Sequence, residues 1–145
     1  MKLLTLIFLC IFTSVAFAAG TLTTTRTQTQ LPSGKIVDIV QIDWTSDASG
    51  NADVAVTLNG YLIKAITDPG STAPTDDYDI TLVQNGVDAA ATLLTNRDTA
   101  NSEQVYPLVS GAATPIFLVG SHTFTVANAG NAKVGTAYFY LIDSL

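Results

Sequence analysis

Cysteine is almost missing from this chain. The one copy, Cys10, lies inside the apolar opening segment, so residues 19–145 can form no disulfide and carry out no thiol chemistry. Histidine is as scarce: with His122 alone, a zinc site that needs two imidazoles is excluded. Glutamate occurs once, at Glu103, against eleven aspartates, and Asp favours turns and strand ends where Glu favours helices. Cations are few. Beyond the N-terminal segment there are only Arg26, Lys35, Lys64, Arg97 and Lys133, scattered along the sequence, and phosphate binding draws on clustered Lys and Arg. No nucleic-acid footprint is expected. Also missing are a G-x-S-x-G nucleophile elbow and a P-loop; "NAGNAKVG" reads as a turn.

What is there begins with "MKLLTLIFLCIFTSVAFAAG". Lys2, the apolar run Leu3 to Phe12 and the small-x-small pattern Ala16-Phe17-Ala18 predict a helical signal peptide over residues 1–18. The run is shorter than the roughly 20 residues a bilayer-spanning helix needs, so no stable membrane insertion is expected after cleavage. Export, to a periplasmic or extracellular location, is the expectation. The remaining 127 residues suffice for one domain with one core, and five cations against twelve acids leave a net charge near −7.

Strand signals fill this remainder. Residues 19–31 form a polar, Thr-rich segment, "TLTTTRTQTQL" in its main part, expected to be an edge strand or a free arm able to pair with a neighbouring sheet edge. After the Pro32-Ser33-Gly34 break, residues 32–145 are expected to form the domain body. "KIVDIVQIDWTS" places Ile36, Val40, Ile42 and Trp44 on one face, with Asp38 interrupting it. "ADVAVTL" points Val54, Val56 and Leu58 inward, and Asn59-Gly60 offers either a hairpin or a bend. "YDITLVQ" faces Tyr78, Ile80 and Leu82 inward, and Asn85-Gly86 turns the chain. Asp88 is expected to cap a single helical turn through "AAATLL". Pro107 pushes "QVYPLV" to an edge or bulge, while "IFLVG", "HTFTVAN" and "VGTAYFYLI" supply the closing strands. The sum is an all-β fold: a single β-sandwich, jelly-roll-like or immunoglobulin-like, of about seven to nine strands.

Five aspartates crowd "TDPGSTAPTDDYDITLVQNGVD", and Asp68, Asp76, Asp77 and Asp79 could supply the hard oxygen ligands of a Ca²⁺ site. The simpler expectation is turn, loop-end and solvated strand positions. "DASGNAD" starts like a calcium loop, but Ala52 stands where the sharp-turn glycine belongs and Leu58 where the bidentate Glu belongs, so a hairpin loop is expected. His122, in phase with Phe124 and Val126, is expected at the rim of the core. Trp44, Tyr61, Tyr78, Tyr106, Tyr138 and Tyr140 could line a sugar platform, although Tyr138 and Tyr140 share a strand face and are expected to be core or sheet-packing residues. No catalytic, cofactor-binding or metal-ligating residue is assigned and no enzyme activity is expected.

The region from about Ile42 to Leu141 resembles small β-rich proteins encoded beside virion genes of tailed bacteriophages. The resemblance rests on "IDWTSDASG", "TDPGSTAPTDDYDITL" with its "NGVD" turn, "NRDTANSEQVYPL" and "FTVANAGNAKVGTAYFYL", and it covers roughly 100 of the 127 residues. It implies a capsid-associated, tail-associated or decoration-type structural role and brings no catalytic residues. The partners it implies are further copies of the chain or other virion or fibre proteins. The signal peptide departs from that pattern, because tailed-phage virions assemble in the cytoplasm. The other expectation is a secreted β-sandwich that binds a carbohydrate or another surface ligand, with calcium or without it, through the Asp-bearing loops and Trp44.

Overall fold

The structure, a computed structural model, describes residues 20–75, 77–85, 90–97, 101–109 and 112–145. The expected signal peptide, Asp76, Gly86 and the Asp88 cap lie outside the described residues. Twelve strands are present among them. Eight have six residues or more: β1 (Thr21–Gln30), β2 (Ile36–Thr45), β3 (Ala52–Thr57), β4 (Gly60–Pro69), β5 (Tyr78–Gln84), β6 (Ala90–Arg97), β11 (Ser121–Ala127) and β12 (Val134–Ile142). Four are pieces of two or three residues: β7 (Glu103–Val105), β8 (Leu108–Val109), β9 (Ala112–Ala113) and β10 (Ile116–Leu118). The expected count of seven to nine therefore describes the long strands, and the short pieces arise where Pro107 and Pro115 interrupt pairing.

All pairings are antiparallel. The larger sheet runs β1-β2-β12-β4-β10, with β7 also on β4, and the smaller runs β3-β11-β5-β6, while β8 and β9 pair with each other. One apolar core is drawn from both sheets. Alternation builds it: Val40, Ile42 and Trp44 of β2 and Ala137, Phe139 and Leu141 of β12 face Tyr78, Ile80 and Leu82 of β5 and Phe124 and Val126 of β11. Rings meet across the gap, with Phe124 edge-on to Phe139 at 6.0 Å between centroids and Trp44 tilted against Tyr78 at 5.7 Å. The arrangement is β-sandwich-like.

Two sequence expectations are corrected here, and one of two alternatives is excluded. The "AAATLL" stretch is strand from Ala90 onward, because β5 offers it backbone partners at Tyr78 and from Ile80 to Val83, and a six-residue helix has too few bonds to compete. Asn59-Gly60 is not a hairpin turn. The strands it joins, β3 and β4, belong to different sheets, so the chain crosses between layers there, with Gly60 at φ 123° and Asn59 Oδ1 accepting from Gly120 N at 3.0 Å. In the same way "SDASGN" links β2 of one sheet to β3 of the other and is a corner loop, not a hairpin loop.

One irregularity breaks the alternation. The register of β12 against β4 shifts between Tyr140 and Leu141, leaving Ile63 as the extra residue of a β-bulge. Leu62 and Ala65, three apart, both reach the core as a result, and Ile63 and Lys64 both turn outward.

Candidate functional site

Threonine recurs through β1 because a β-branched side chain favours extended backbone even where neither face is apolar. The strand pairs with β2 without a break, from Thr21 opposite Thr45 to Gln30 opposite Ile36, and the turn is closed by Leu31 N–H donating to Lys35 O at 2.8 Å. Thr21–Gln30 is thus an edge strand of the chain's own sheet rather than a free arm. Leu22 packs against the core, and the other nine residues of the strand are exposed.

The Leu31–Lys35 bond also sets which backbone groups are in use. Antiparallel pairs alternate between bonded and non-bonded, so the odd-numbered residues of β1 bond to β2. The N–H and C=O groups of Leu22, Thr24, Arg26, Gln28 and Gln30 therefore point to the open side, where no described strand pairs with them.

Other edges of the two sheets are shorter or less regular. The far side of the larger sheet is closed by three-residue β7 and β10. β6 carries two register shifts against β5, and β3 has its Thr57 carbonyl taken by the guanidinium of Arg26. By contrast β1 has no proline, no lysine and no bulge. Its single charge is already matched: Arg26 Nη1 lies 3.1 Å from Asp38 Oδ2, which places a counter-ion under the acid that interrupts the apolar face of β2. Asp38 is buried, and its Oδ1 has no hydrogen-bond partner among the described residues.

The aspartate constellation does not assemble. Asp68 points outward from the larger sheet and accepts from Ser102 Oγ at 2.5 Å, whereas Asp79 points outward from the smaller sheet and accepts from Asn128 Nδ2 at 3.2 Å. The two outer faces look away from each other. Asp77 sits at φ 63° in the turn before β5, Asp76 lies outside the described residues, and no group of three or more His, Cys, Asp or Glu comes together among the described residues. Asp47 of "DASGNAD" instead ties its own loop, Oδ1 accepting from Ser49 N at 2.8 Å and Asn51 N at 2.9 Å.

The aromatic set divides. Trp44 and Tyr78 are buried in the core, so Trp44 cannot be a ligand platform. Tyr138 and Tyr140 are the correction in the other direction: they stand half-exposed on the outer face of the larger sheet, because Phe139 and Leu141 take the inward phase of the same strand. Lys64 Nζ lies 4.2 Å over the Tyr140 ring, and Tyr61 leans on exposed Phe117 at 5.1 Å. Burial and the nearby Asp68 and Asp43 carboxylates push the Tyr138 phenol above its ordinary value. Asp43 accepts from Gln41 Nε2 at 2.9 Å and Thr136 Oγ1 at 2.7 Å, beside a shallow hollow of about 260 Å³ that Thr21, Thr23 and Thr45 also line.

His122 is deeper than expected. It is buried in the core, not at its rim, with Nδ1 3.0 Å from Gly120 O. No titratable group adjoins it in a way that would make a catalytic dyad among the described contacts, and its Nε2 has no partner there. No protein-family model matches the chain, and no curated protein matches it.

Proposed function

We propose that this chain is a non-enzymatic structural protein that works by subunit contacts, in an assembly of the virion-associated or decoration type. One observation carries the reading: β1 is a ten-residue edge strand, regular along its whole length, without proline, lysine or bulge and with its one charge held by Asp38. A backbone row of that length is a binding element in itself, since strand addition draws its affinity from main-chain hydrogen bonds. The resemblance to phage virion-associated β-proteins supports the same role, and a jelly-roll-like or immunoglobulin-like sandwich would be its scaffold. Location would follow the assembly: the virion, or the cell exterior if residues 1–18 direct export.

The test is Thr24→Pro. Thr24 points its N–H to the open side, so proline there removes an edge donor without touching the β1–β2 ladder. The expected result is an unchanged urea midpoint and loss of self-association in sedimentation and electron microscopy. A wild-type chain that stays monomeric at high concentration, or a variant that assembles as well as wild type, overturns the reading.

A second reading is favoured by a different observation. Half-exposed Tyr138 stands two residues along β12 from Thr136 and feels the Asp43 carboxylate, both of which line the hollow with Thr21 and Thr23, and an aromatic face near polar acceptors suits a sugar. On this reading the chain is a secreted carbohydrate- or surface-binding module. Glycan-array binding that Asp43→Ala abolishes would support it, and an EDTA arm would tell whether calcium takes part.

A further inference from the structure

We infer that the strand that adds to β1 is β1 of a second copy, antiparallel about a twofold axis at Thr25, so that two six-stranded sheets join into one. This rests on the assembly reading above and names its partner and register.

The register follows from the hydrogen-bond phase. Outward groups belong to the even-numbered residues, and an antiparallel ladder pairs bonded residues with bonded residues. Even residues must therefore face even residues, which also keeps the outer faces of both sheets on one side. Two registers give the longest overlap. One places Arg26 opposite Arg26 of the partner subunit, and like charges directly opposite each other are destabilising. The other centres on Thr25 and sets Arg26 against Thr24, Leu22 against Gln28, Thr21 against Thr29 and Thr23 against Thr27. It forms about eight main-chain hydrogen bonds, two for each bonded pair. Threonine then faces threonine along the whole outer row, a favourable cross-strand pairing. Arg26 keeps Asp38, so no charge is left unpaired by the contact.

Cysteine cross-linking tests the register directly, in the full chain with Cys10→Ser so that no other thiol is present. Thr25 on the axis is a non-bonded pair, with Cα atoms about 4.5 Å apart. That lies inside the roughly 4.4–6.8 Å span of a disulfide. The expected result under mild oxidation is that Thr25→Cys becomes mostly covalent dimer. Thr23→Cys and Thr27→Cys alone stay at background, and the two mixed together cross-link. If Thr24→Pro blocks assembly but the Thr25→Cys chain does not cross-link, the edge is the contact and the twofold register is overturned. If Thr24→Pro leaves assembly intact and Thr25→Cys stays monomeric, the edge itself is not the contact and both proposals fall.

Discussion

Trp44 lays its indole across Gly135, the residue directly opposite it on β12, so closely that a Cβ built on Gly135 would stand 2.5 Å from Cζ2. A glycine in a central strand costs stability by itself, and here the vacancy is filled by the largest side chain of the core. Gly135→Ala should lower stability by about 1–3 kcal/mol through overpacking. Urea unfolding measures it, and Trp44→Leu in the same chain should recover part of the loss, because the smaller side chain leaves room for the new methyl.

Arg26 and Asp38 form a pair across the β1–β2 ladder, with the acid largely buried and the guanidinium about one-third exposed. Removing the cation leaves a carboxylate in a site from which water is mostly excluded. Arg26→Met should cost about 1–2 kcal/mol, below the value for a fully buried pair because of that exposure. Arg26→Met combined with Asp38→Leu should cost less than the single change, and a double-mutant cycle reads the difference.

His122 illustrates a buried polar group that the fold tolerates rather than exploits. Its Nδ1 shares Gly120 O with Leu58 N, so the carbonyl keeps a donor if the imidazole goes. His122→Leu should therefore stay within about 1 kcal/mol of wild type. His122→Ala, which empties the site, should lose about 2–4 kcal/mol. Thermal and urea unfolding of the two variants separate packing from polarity.

Tyr138 should ionise above its ordinary value of 10.0, chiefly from burial and then from Asp68 and Asp43. A phenol whose folded value is raised is favoured in its neutral form, so its contribution is complete below pH 10. It is lost as pH rises from there through the folded value, because the unfolded chain gives up the proton first. Phenolate absorbance should show a late component that Tyr138→Phe removes and Asp68→Asn moves down. Stability above pH 10 should fall less steeply in Tyr138→Phe. A titration in which Asp68→Asn leaves every component in place would refute the assignment.

Legibility differed from strand to strand for a definite reason. In β2, β5 and β11 only one phase of the alternation is strongly apolar, and the structure buries that phase. In β12 both phases are apolar, Ala137, Phe139 and Leu141 against Tyr138, Tyr140 and Ile142, so the pattern could not say which tyrosines would end outside. The Ala-rich stretch of β6 has local helix propensity, and only the neighbouring strand overrides it. The Thr-rich pattern of β1 reads equally as an open edge or a free arm, and nothing in the local pattern links Arg26 to Asp38, the ion pair that anchors it.

By itself the sequence determined the β class, the inward phases of the clear strands and the chemistry that is missing, because side-chain type and period are local properties of the chain. Which strands share a sheet, that Asp68 and Asp79 look away from each other, that His122 and Trp44 are enclosed, and that β1 is left with one side unpaired were decided only by tertiary structure. Each depends on pairings between residues far apart in sequence, and the free energy of those contacts exists only once both sheets have closed on their common core.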